Sequence, residues 1–128
     1  MTYHFTKTLD ISFDDAIVKA TAALKEKGFG VLTTIDVKDT LKKKIGADFR
    51  PYTILGACNP HYAHKALQAE PMIGTMLPCN VIVQQNADGK VQVSAVDPVA
   101  SMAAIQNPSL GTIAGEVRGL LKSMVDSL

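Results

Sequence analysis

The chain has 128 residues, 47% of them hydrophobic and 20% charged, with a formal net charge of +1. That composition suits a folded globular unit and excludes a disordered polyelectrolyte, while the near-neutral balance disfavours nucleic-acid binding, which calls for a basic excess. No apolar run approaches the roughly 20 residues of a membrane-spanning helix and no basic-then-apolar leader opens the sequence, so two cysteines are expected as free thiols in the cytoplasm.

Tyr3 to Leu9 alternates in hydrophobicity and predicts a half-buried strand. Ser12 offers a helix cap, with Asp15 at the capping-box position. Phe13, Ala16, Ile17, Ala20, Ala23 and Leu24 follow at helical spacing, and Gly28 stands where a left-handed residue ends a helix. The spacing predicts a helix over 13–27. Phe29 to Val37 is rich in β-branched residues and predicts a second strand. Leu41 and Ile45, four apart, with lysines at 42, 43 and 44, predict a short solvated helix ending at Gly46.

Arg50 to Cys58 reads as a third strand, and Asn59-Pro60 as a cap followed by a proline at the first helical position. This predicts that the Asn59 side chain caps the helix, which Pro71 then stops. Pro78 to Gln85 is a fourth strand with Cys79, Val81 and Val83 on one face, and the Asp88-Gly89 turn returns Val91 to Val96 antiparallel. Asp97-Pro98 and Asn107-Pro108 repeat the cap-then-proline pattern and open two helices. The order β-α-β-α-β-α-β-β-α-α, with no linker or low-complexity tract, points to one α+β domain over 1–128. The apolar faces predict a core of Phe5, Phe13, Ile17, Leu24, Val31, Ile35 and Ile54, joined by Val81, Val83, Val93, Ile113, Val117 and Leu121.

Three features carry candidate chemistry. Cys58 lies just before a helix N-terminus, whose partial positive charge and free N–H groups favour a thiolate. His61 follows three residues later, and His61 and His64 are helical neighbours, an opening for a metal or haem site. No Cys-x-x-Cys or His-Glu-x-x-His completes a metal set. Cys79, beside Asn80, shares a face with two valines and reads as buried. If the third and fourth strands were joined by a parallel crossover, Cys58 and Cys79 would lie at opposite ends of the sheet. Gly111, Gly115 and Gly119, four apart in the last helix, suggest close approach by another backbone or a flat ligand, or else a tolerant surface. No dinucleotide or phosphate-binding loop and no Ser-His-Asp order occurs.

Gly28-Phe29-Gly30-Val31-Leu32-Thr33, Ile35-Asp36-Val37, Thr40-Leu41-Lys42, Ile54-Leu55-Gly56-Ala57-Cys58-Asn59-Pro60, Glu70-Pro71-Met72-Ile73-Gly74 and Leu77-Pro78-Cys79-Asn80-Val81 resemble the family called domain of unknown function 302. The resemblance spans nearly the whole chain. It implies an α+β fold of the TATA-binding-protein-like type, with helices packed on one face of a curved, mainly antiparallel sheet, and a homodimer in bacteria or archaea. It brings no established reaction, and fold alone carries none. An antiparallel sheet would allow the two cysteines to meet.

The sequence therefore supports three readings. The first is a protein that binds a small ligand or cofactor (haem, a metal or a sulfur species) around Cys58, Asn59, His61 and His64, with Cys79 and Asn80. The second is a thiol-dependent enzyme of sulfur transfer or redox with Cys58 as nucleophile. The third is a structural or interaction subunit. Apolar residues on both faces of some strands add a homodimer with Leu32, Leu55 or Ile82 near its interface.

Overall fold

The computed structural model describes residues 2–128. Strand β1 (His4–Leu9) leads to helix α1 (Phe13–Glu26), β2 (Gly30–Asp36), α2 (Val37–Ile45) and β3 (Tyr52–Cys58). Helix α3 (Pro60–Ala69) is followed by a 3-10 turn (Pro71–Met76), β4 (Cys79–Gln85), β5 (Val91–Val96), α4 (Pro98–Ser101) and α5 (Pro108–Asp126). The order of strands and helices is the one the sequence predicts. Pro71 opens the 3-10 turn, which periodicity did not mark.

All five strands form one sheet in the order β1-β5-β4-β3-β2, with every neighbouring pair antiparallel. The sheet is curved and its helices lie on one face. Helix α1 packs on β2, β4 and β5, α5 packs on β1 and β5, and α3 and α4 pack on α5. The β3–β4 pairing disposes of the parallel crossover, because Ala57 stands directly opposite Cys79. The two cysteines are thus brought to the same end of the sheet.

Local chemistry explains most element ends. Gly28 adopts φ +85°, and the N–H groups of Gly28 and Phe29 donate to the carbonyls of Lys25 and Leu24, closing α1 with a left-handed turn. Ser12 accepts from the Asp15 N–H. Asp97 caps α4 through Val99 and Ala100, and Asn107 caps α5 through Ser109 and Leu110. Buried Asp97 also meets Arg118 Nε at 3.1 Å, which ties the start of α4 to α5.

The sheet's pleat sets the core. On the helix-facing side Leu55, Val81 and Ala95 form one cross-strand row, and Ala57 and Cys79 form the next. Leu24, Val81, Val83, Val93, Val117 and Leu121 are buried as expected, with Phe5, Phe13, Ile17, Val31 and Ile113 packed against them. Two expectations fail. Ile35 is 45% exposed and Ile54 only half-buried, because they join Ile82 in a row on the helix-free face. Leu55, expected near an interface, is 1% exposed in the core. The cause is phase. A bulge between Val31 and Thr33 takes up one residue, so Val31 and Thr34, not Val31 and Ile35, sit opposite the core positions of β3.

Candidate functional site

A cavity of about 350 Å³ opens between α3, α5 and the adjoining ends of β3 and β4. Its size lies in the range of small-molecule sites. Cys58 and Asn59 reach it from the end of β3, and Leu77, Pro78 and Cys79 from the start of β4. Tyr62, Ala63, Ala66 and Leu67 of α3 face Leu110, Ile113, Ala114 and Val117 of α5 across it. The space exists because the helices present alanines where larger residues would interdigitate. Exposed Leu32 and Leu67 stand among its lining, and almost every lining residue is apolar.

Asn59 departs from its expected role. Its side chain makes no capping bond to α3. Nδ2 instead donates to the Lys27 carbonyl at 3.5 Å, reaching the end of α1, where a Cβ on Gly28 would come within 3.0 Å of it. With the amide held this way, Oδ1 makes no bond to the opening N–H groups of α3. Oδ1 is left buried with no hydrogen-bond partner among the described residues.

Both cysteines are free thiols, Cys58 half-buried and Cys79 buried. Burial pushes the Cys79 thiol up to about 11, with a smaller contribution from the charge of Cys58. The Cys79 thiol of the folded chain therefore stays protonated while that of the unfolded chain ionises. The folded state then binds more protons, so stability falls as the pH climbs from about 9 towards 11. The slope from this group reaches at most about 1.4 kcal/mol per pH unit. In urea titrations the stability difference between the wild type and Cys79→Ala is expected to narrow as the pH rises through that window. A constant difference would contradict this account of the Cys79 environment.

His61 and His64 are exposed on α3 and do not line the cavity. Among the described residues no group of three or more His, Cys, Asp or Glu side chains comes together as a metal site. Asn80 is exposed and belongs to a second concavity of about 600 Å³ on the helix-free face of the sheet, with His4, Arg50, Tyr52 and Ile82. The glycine stripe of α5 is exposed, and Cβ atoms added at Gly111, Gly115 and Gly119 would meet nothing within 4 Å. The structure thus brings Cys58, Asn59 and Cys79 together and separates His61, His64 and Asn80 from them. Tyr62 and the α5 wall lie on apolar helix faces at helical spacing but were not among the expected site residues. At the helix pair, Glu116 of α5 raises the Tyr62 phenol of α3 above its usual value.

Residues 5–128 match the family described as Domain of unknown function DUF302. The chain belongs to this family. A crystal structure of an uncharacterized conserved DUF302 protein from Bacillus stearothermophilus superimposes with a TM-score of 0.91 at 30% identity, covering 98% of both chains. An uncharacterized protein of Aquifex aeolicus (strain VF5) is 26% identical over 87 residues, 68% of this chain and 54% of the relative. The DUF302 chain therefore spans about half the length of that curated relative. Among the described residues, no helix is long and apolar enough to cross a membrane.

Proposed function

We propose that this DUF302 chain binds a small, uncharged and largely apolar molecule in the cavity between α3 and α5. The observation that carries the reading is the cavity's lining. Cys58, Asn59, Tyr62 and Cys79 interrupt an otherwise apolar lining, the usual division of labour between affinity and orientation in small-molecule sites. Of the cofactor candidates, an organic or sulfur-bearing molecule suits this lining better than a hydrated cation, because carboxylates and imidazoles are missing from it. Free thiols fit a reducing compartment such as the cytoplasm.

The test uses a neutral fluorescent probe, phenylnaphthylamine. The wild type is expected to give saturable, blue-shifted emission. Ala63→Phe, which fills the cavity from α3, is expected to weaken binding at least tenfold without lowering the melting temperature by more than a few degrees. His64→Ala, on the exposed side of the same helix, is the control and leaves binding intact. Binding that survives Ala63→Phe, or none in the wild type, would remove the reading.

A homodimer through the helix-free face is the second proposal, and the apolar row Ile35–Ile54–Ile82 favours it. Monomers rarely leave large contiguous apolar patches uncovered, and a two-fold axis would place the row against its own copy.

A further inference from the structure

We propose that the cavity between α3 and α5 takes an unbranched aliphatic molecule with one uncharged polar end, and that Met102 is the wall that limits its chain length. The two helices run antiparallel beside the cavity. Tyr62, near the start of α3, packs in one apolar cluster with Val117 of α5, and Ala66, one turn on, packs in a second with Leu110 and Ala114. The free space along this pair suits an extended chain, and its two ends differ. Cys58, Asn59 and Tyr62 bring a thiol, an amide and a phenol to the first. The second, at Ala66, Met102 and Leu110, is apolar. A guest that satisfies both ends carries its polar group at one terminus only. Among the described residues the lining holds no Lys, Arg or His, so a carboxylate terminus would be buried without a counter-charge.

The apolar end adjoins a further space. A cavity of about 230 Å³ lies among Val99, Ala103, Ile105 and Gly111, and it shares Met102, Leu110 and Ala114 with the first. Leu110 and Ala114 belong to α5, which runs past both spaces. Met102 comes across from the end of α4 and is 9% exposed, so its side chain is the part of the partition that a substitution removes. Methionine is unbranched and flexible, and such a wall adapts to the tip of a chain instead of presenting a fixed shape. Gly111 helps to keep the far space open, since a Cβ there would meet nothing within 4 Å.

This role for Met102 rests on the cavity being the binding site, and its test needs no fluorescent probe. Straight-chain alkanols, butanol to decanol, are titrated against the full chain, with the methyl resonances of Ala66 and Ala114 as the readout. In the wild type, affinity is expected to rise about fourfold with each methylene up to a limiting length and to stay flat beyond it. Met102→Ala removes a methylene, a sulfur and a methyl group, and is expected to move the limit out by at least about two carbons. Met102→Val, a smaller cut, is expected to move it in the same direction and serves if the alanine variant does not fold. Gly111→Leu fills the far space. Alone it is expected to leave the wild-type limit in place, and combined with Met102→Ala to bring the extended limit back. Alkanoates of the same lengths are expected to bind at least about tenfold more weakly than the alkanols. A wild-type affinity that rises without limit, a limit unmoved by either Met102 variant, or alkanoates that bind as well as alkanols overturns the proposal. Alkanols that bind with an unmoved limit count only against Met102 and leave the cavity reading standing. No response of Ala66 or Ala114 to any alkanol removes both.

Discussion

Gly56→Ala is expected to destabilise the chain by at least about 2 kcal/mol, at the severe end of what an added methyl does in a packed interior. A Cβ at this position would lie 2.1 Å from Thr33 Oγ1 and 2.7 Å from Pro78 Cγ. Neither neighbour gives way readily. Thr33 belongs to β2, which is bonded to β3, and Pro78 is a rigid ring at the entrance to β4. Backbone conformation is not the reason, since Gly56 does not have a positive φ. Urea denaturation measures the loss. Repeating the substitution on a Thr33→Ala background is expected to recover part of it, because the shorter contact is gone while the Pro78 contact remains. A double-mutant cycle reads that coupling directly. Full additivity would mean that Thr33 does not press on this site.

Leu55→Asp is expected to leave no folded chain, whereas Ile82→Asp is expected to fold. The two residues occupy adjacent strands but opposite faces. Leu55 is 1% exposed, packed between the sheet and its helices with no cation to meet a carboxylate. Desolvating an unpaired charge there costs several kcal/mol, a large part of the 5–15 kcal/mol that holds a typical domain together. Ile82 lies on the helix-free face beside Tyr52, Gln84 and Ser94, where a carboxylate can be hydrated. Circular dichroism separates the two variants. Sedimentation of the folded Ile82→Asp chain then tests the homodimer: a dimeric wild type should give way to a 13.7 kDa species. A wild type that is itself monomeric at micromolar concentration defeats the dimer, and an undisturbed Ile82→Asp dimer moves its contact elsewhere.

Sequence patterning revealed what is local. Gly28 and the pairs Asp97-Pro98 and Asn107-Pro108 punctuate the chain through their own backbone and side-chain chemistry, and each does in the fold what its residue type favours. Face assignment was legible where apolar and polar residues alternate, as in Cys79, Val81 and Val83. It failed where they do not. Ile54 and Leu55 are equally apolar, so either could face the core, and the bulge in β2 shifted the phase of Ile35 with no mark in composition. The candidate site follows the same division. Cys58 and Cys79 stood out because a thiol at a strand end is unusual chemistry. The walls around them are defined by small side chains at Ala63, Ala66 and Ala114, a signal that exists only once two helices are set face to face. His61 and His64 satisfied a spacing rule, but α3 turns them to solvent.

Asn59 has a consequence for motion. Two of the three Asn/Asp-Pro junctions tie the entry of their helix to its own first-turn amides, and the third ties α3 to the carbonyl that ends α1. The opening amides of α3, at His61 and Tyr62, are therefore free of a side-chain acceptor. Amide hydrogen exchange there should outpace that at Ser109 and Leu110 of α5, and the wall of the cavity that carries Tyr62 and Ala63 should be its hinged side. The α3 wall would then swing with the Lys27–Gly28 turn while α5 stays anchored, so a guest would enter by displacing one helix and not by parting two.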